Sequence, residues 1–177
     1  MTILTDPFAI AGLQTFASVL DPQSAIYVCG PLDHGLLWYE ARARGEAGES
    51  VRAINQARLT ALAERLRAQR ATPVIDPGLL RVDAWTGREY GDFFLEVIRR
   101  FVHEAWFIDG WEYSHGATKE YLLCRELSLP TFDEAGRDLA PGEAEGLLRA
   151  AANRAAELGV DAAKLLSRID ALCRPPG

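Results

Sequence analysis

Trp106-Phe107-Ile108-Asp109-Gly110-Trp111-Glu112-Tyr113-Ser114-His115-Gly116-Ala117-Thr118-Lys119-Glu120 is the stretch that decides the fold. It reads as a buried strand over Ala105 to Ile108, a turn rich in glycine and aromatics, and the first turns of a helix. Ser114 suits the N-cap, because its hydroxyl accepts an orphan N–H of the first helical turn. Gly116 and Glu120 are four apart and share a helix face. With no side chain at Gly116, a ligand has room against the backbone in front of Glu120. A helix start also attracts anions through its free N–H groups and its dipole. A strand, a glycine turn and a carboxylate just inside a helix predict a small-ligand site at the C-terminal edge of a parallel sheet.

Upstream, Ala25-Ile26-Tyr27-Val28-Cys29 is an apolar run ended by Gly30-Pro31, and reads as the first strand. Leu32 to Tyr39 reads as a loop at its C-terminal end, continued by a polar stretch over Gly45 to Ser50. Val51 to Arg70 has the clearest helical periodicity, with Ser50 as expected N-cap. Thr72-Pro73-Val74-Ile75 reads as a second strand, stopped by Asp76-Pro77-Gly78. Residues 79 to 91 form a second long loop, and a helix is expected from about Asp92 to His103. The helix over 115–128 leads to a short fourth strand at Pro130-Thr131-Phe132. Residues 7–20 read as an amphipathic helix starting at Pro7. Beyond Asp133 the sequence becomes a polar linker and two Ala/Leu-rich helices, 142–158 and 161–173, the second capped by Asp161.

The order α-β-α-β-α-β-α-β-α-α predicts an α/β fold. It is a doubly wound three-layer sandwich with a parallel sheet of four or five strands, flavodoxin-like or Rossmann-like, plus C-terminal helices. One α/β domain is expected over 1–133, with a helical extension over 134–177 packed on the domain or on a partner subunit.

The 177 residues suffice for one full core. A formal charge of −6 argues against binding nucleic-acid polymers, which needs a basic surface. No apolar run reaches membrane-spanning length. Cys29, Cys124 and Cys173 lack CxxC spacing and read as free thiols. With no signal-peptide pattern, they indicate the reducing cytoplasm. His34, His103 and His115 lack metal-ligand spacing, so neither metal nor cofactor is expected.

The loops 30–50, 76–91 and 109–116 should meet off the C-terminal strand ends. Gly30 and Asp76 open the first two of them. Glu120 is either a nucleophile or a solvated helix carboxylate. As a nucleophile it needs to be ionised, which a helix N-terminus favours. Ser114 binds an anion, caps the helix, or does both. Glu96 either faces the loop end of the sheet beside Glu120 or lies on the polar side of its helix. Trp38, Trp85, Tyr90, Trp111 and Tyr113 fall in the ligand-side loops, where they stack on a base or cover a core or an interface. Asp33 and His34 offer acid–base groups or turn hydrogen bonds. Gly30 to Gly35 lacks the G-x-G-x-x-G dinucleotide spacing.

These segments resemble the nucleoside 2-deoxyribosyltransferase-like superfamily, in particular a bacterial and phage branch of small proteins with a GWE-x-S-x-GA-x-x-E signature. Gly110 to Glu120 matches that signature, and Tyr27-Val28-Cys29-Gly30-Pro31 is similar to the first strand and its glycine. Asn55 fits the start of the first long helix. Val74-Ile75-Asp76-Pro77 is similar to the second strand, where the branch usually has Asn-Pro. The resemblance spans about residues 25 to 133.

It implies that Glu120 attacks C1′ of the sugar and releases the base, after which water or a second base resolves the glycosyl-enzyme. Ser at position 114, in place of Asp, tilts the implied substrate toward a nucleoside 5′-monophosphate or toward simple hydrolysis. The chain departs from the relatives at Glu96, where they carry Asp, and at Pro31-Leu32-Asp33, where the monophosphate branch carries Ser and Arg. The implied partners are a nucleoside or nucleotide and further copies of the chain, as a homodimer or larger. A non-catalytic nucleotide-binding or regulatory module and a structural assembly subunit stand as the alternatives.

Overall fold

The computed structural model describes residues 6–46, 49–161 and 163–172. Its axis is strand β1 (Ala25–Cys29), all five residues of which are buried. β2 (Val74–Ile75) pairs with one edge of β1 and β3 (Val102–Phe107) with the other; β4 (Thr131–Asp133) adds to β3. Every pairing is parallel, so the order is β2-β1-β3-β4. The fold is therefore α/β with a four-stranded parallel sheet, layered as the element order predicts.

Side-chain alternation along β1 splits the core in two. Ile26 and Val28, with Trp106 and Ile108, pack on Leu59, Leu62, Ala63 and Leu66 of α3 (Glu49–Gln69). Ala25, Tyr27 and Cys29 face the larger cluster on the opposite side. That cluster joins α1 (Pro7–Val19), α4 (Gly87–Phe101) and α5 (His115–Glu126) through Leu13, Phe93, Phe94, Val97, Ile98 and Tyr121. Both faces of the sheet are covered, which explains why β1 reads as an unbroken apolar run.

Several elements differ from expectation. Leu36–Ala43, expected as loop, is α2. Eight residues are too few for a 3.6-residue period to stand out. α4 begins at Gly87 rather than Asp92, because Thr86 and Glu89 form a capping box. It ends at Phe101, and Val102 turns to extended backbone to pair with Ala25. Ser50 lies inside the first turn of α3, whose own cap falls outside the described residues. α6 (Pro141–Glu157) and α7 (Ala163–Leu172) form the expected helical extension, with Leu148 and Ile169 reaching the main core. Asp161 accepts from the N–H of Ala163 at 2.9 Å, as a cap would. Cys173 lies outside the described residues; Cys29 and Cys124 are free and buried. Among the described residues no helix is long and apolar enough to cross a membrane.

Gly30, at the end of β1, has no room for a side chain. A Cβ there would meet Ile108 Cδ1 at 2.7 Å and Leu59 Cδ2 at 3.3 Å. Glycine thus lets β1, the end of β3 and α3 approach closely where the site begins. Gly30→Ala should cost about 1–3 kcal/mol by overpacking. Denaturant unfolding should show a lower midpoint at unchanged slope. An unchanged midpoint would contradict the close approach.

Candidate active site

Because β1 is flanked by β2 on one side and β3 on the other, the chain reverses direction across the sheet beside it. Crevices open at the C-terminal strand ends of such a switch point. One opens here, with a volume of about 820 Å³, inside the range of roughly 300–1,000 Å³ typical of small-molecule sites. Its walls come from all three predicted loops: Gly30 to Tyr39 after β1, Pro77 to Gly91 after β2, and Ser114 to Ala117 after β3. Val160 and Asp161, between α6 and α7, also line it.

Glu120 lines this cavity from one and a half turns inside α5. Its Oε1 accepts from the Tyr27 hydroxyl at 2.9 Å, and its Oε2 accepts from Cys29 Sγ at 2.7 Å. The two donors are neighbours on one face of β1, so the strand itself fixes the carboxylate. Burial pushes the Glu120 carboxyl above its ordinary pKa, while the hydrogen bonds from Cys29 and Tyr27 pull it down. The helix dipole alone would leave it readily ionised; desolvation opposes that expectation. Burial, and then the Glu120 charge, push both Tyr27 and Cys29 well above their usual ranges, so each stays a protonated donor.

The helix start is open to ligand. The Ser114 hydroxyl accepts from the Ala117 N–H at 3.4 Å, leaving its own proton to donate. Gly116 is exposed to the cavity, and the nearest atom to a Cβ built there is Ser114 Oγ at 3.9 Å. Its N–H, at the second helical position, has no acceptor within the helix.

Asp33 and His34 both line the cavity. Asp33 is ion-paired to Arg52, which lines it too, and His34 meets the ring of Trp38 edge-on at 4.8 Å. Trp85 and Tyr90, also in the lining, pack at 5.1 Å. Their polar tips are occupied, Trp85 Nε1 donating to Asp6 Oδ2 at 2.8 Å and the Tyr90 hydroxyl donating to Val82 O at 3.1 Å. Only their ring surfaces are left for a ligand. α6 steadies the Trp38 wall: Ala151, Ala152 and Ala155 pack on Tyr39 and Tyr113, and Tyr39 donates to Tyr113 O at 3.0 Å.

Four candidates stand outside the lining; one, Tyr113, packs on the alanines of α6 and meets the ring of Tyr39 at 6.3 Å. Glu96 is not brought to Glu120; it pairs with Arg100 at 2.7 Å on the polar side of α4. Asp76 turns inward, where Oδ1 accepts from the Gly78 N–H and Oδ2 from Thr60 Oγ1, both at 2.9 Å. It shapes the turn after β2. Trp111, 3% exposed, packs on Tyr121 at 4.8 Å and Phe107 at 5.2 Å and belongs to the core. Four residues outside the sequence-based expectation belong to the site instead: Arg52 and Phe94 line the cavity, and Tyr27 and Cys29 hold Glu120. Tyr27 and Cys29 carried a signal, since polar atoms in a fully buried strand need partners. Among the described residues no group of three or more His, Cys, Asp or Glu side chains is placed to hold a metal ion.

A buried carboxyl with a raised pKa couples stability to pH. The native state holds its proton to higher pH than the unfolded chain does. The associated stability is complete below the ordinary carboxylate pKa and is lost as pH rises through the raised value. Glu120→Gln removes this loss. The Tm of the variant minus that of wild type should therefore grow between pH 4 and pH 8. A difference that is flat with pH would mean that Glu120 titrates as a solvated carboxyl.

The chain matches no family model, no curated protein and no solved structure.

Proposed function

We propose that this chain cleaves the base–sugar bond of a nucleoside or nucleoside 5′-monophosphate, with Glu120 as nucleophile. The observation that carries the reading is the Glu120 carboxylate, fixed by Tyr27 and Cys29 and lining a cavity that an open helix N-terminus also lines. In the first step a Glu120 oxygen bonds to C1′ and the C1′–N bond breaks. Its electron pair leaves with the base, which takes up a proton from solvent. In the second step water attacks C1′ and loses a proton to solvent, the bond from C1′ to the Glu120 oxygen breaks, the sugar leaves with the hydroxyl, and the carboxylate is regenerated; a second base in place of water gives transfer.

The hydroxyl of Ser114 and the N–H of Gly116 suit the sugar or phosphate end, assisted by the dipole of α5. The ring surfaces of Trp38, Trp85 and Tyr90 in the lining suit the base. The site needs no cofactor in this scheme. Incubation with a panel of nucleosides and their 5′-monophosphates, followed by chromatography for free base, tests it. Release from at least one member is expected, and release from none would overturn it.

A second reading, nucleotide binding without turnover, is favoured by the position of Glu96, which leaves Glu120 without the second acid the sequence offered. Thermal stabilisation by a nucleotide with no base released would select it.

A further inference from the structure

We infer that Cys29 is a positioning residue for Glu120, whose thiol donates to the carboxylate and keeps it ionisable in a buried setting. The geometry is specific. Sγ lies 2.7 Å from Glu120 Oε2, close for a sulfur donor, and 3.9 Å from the carbonyl of Ala117. Tyr27 holds the other oxygen at 2.9 Å. The two oxygens are thus held from one strand face by two donors of different kind. β1 is the most buried strand of the sheet, so neither donor can swing away. The thiol is no nucleophile here: burial keeps it protonated, and only the thiolate reacts.

Among the described residues, the groups around Glu120 are few. β1 presents Tyr27 and Cys29, and α5 presents Cys124 one turn on, its thiol also pushed up by burial. α4 contributes Phe94, which packs on Tyr27 at 6.1 Å and carries no charge. α3 brings Arg52, paired to Asp33, to the same cavity, the loops bring Arg81 paired to Asp83, with His34 and Asp161, and the start of α5 brings His115. Of these groups only Tyr27 and Cys29 hydrogen-bond the Glu120 carboxylate. Loss of either should therefore register directly in its titration.

The test is the Glu120 carboxyl midpoint, followed by carbon-13 NMR in the full chain. Cys29→Ala removes the donor and should raise the midpoint by about one pH unit, the size expected for a lost hydrogen bond to a charged group. Cys29→Val does the same while refilling the space, and serves where Cys29→Ala fails to fold. Cys29→Ser restores a donor within roughly 3 Å and should return the midpoint toward wild type. If the thiol only fills space, Ser will behave as Ala does, or no midpoint will move; either result overturns the inference.

The consequence for turnover rests on the function proposed above: the acid limb of the pH–rate profile should move with the midpoint. A protein that shows the midpoint shift yet releases no base would sink the enzymatic reading and leave the role of Cys29 standing.

Discussion

Glu120→Gln should leave the fold intact and lower base release by at least about 1,000-fold. The amide keeps the length of the side chain and an oxygen for the Tyr27 hydroxyl, so the cavity keeps its shape. It loses the anionic oxygen that must bond to C1′. The loss should fall on kcat, because the ring walls and the helix start that hold the substrate are untouched. A variant within about tenfold of wild type would mean that the carboxylate is not the reacting group. A loss confined to KM would mean that Glu120 binds substrate without reacting.

Trp111→Ala should be the most damaging single change to stability among the residues discussed. The indole is nearly sealed from solvent between Phe107 and Tyr121. Truncating a buried Trp costs about 3–5 kcal/mol. For a chain of this length that lowers Tm by roughly 10 °C. The alternative that the sequence left open, a ring presented to a ligand, predicts weakened binding with little change in Tm. Thermal unfolding without ligand separates the two. A shift under about 2 °C would place Trp111 in the site after all.

The layered architecture was legible because its evidence is local. β1 is apolar throughout, α5 begins at a serine with its acceptor ready, and Gly110 supplies a turn with φ of 89° that few other residues adopt. The meeting of the three loops followed from the alternation of strands and helices, which makes the sheet parallel and puts the loops after its strands at one edge. Glu120 was legible from its spacing to Gly116 and Ser114. What sequence could not give was direction. Glu96 lies among apolar residues of α4, and whether it faces the sheet edge or the solvent depends on how the helix is rotated; Arg100, one turn on, draws it outward. Asp76 and Trp111 sit in segments of the right kind, but their side chains turn inward to satisfy a turn and to fill the core. Tyr27 and Cys29 were hidden by the same burial that makes β1 easy to recognise. A strand reads as packing until a carboxylate on another element is found to need its donors.

The account stands or falls on a covalent bond at Glu120. Wild-type protein quenched in acid during turnover, digested and examined by mass spectrometry, should carry a sugar on the peptide that contains Glu120, and Glu120→Gln should carry none. Free base accumulating with no sugar on that peptide, or a sugar attached to another residue, would contradict it.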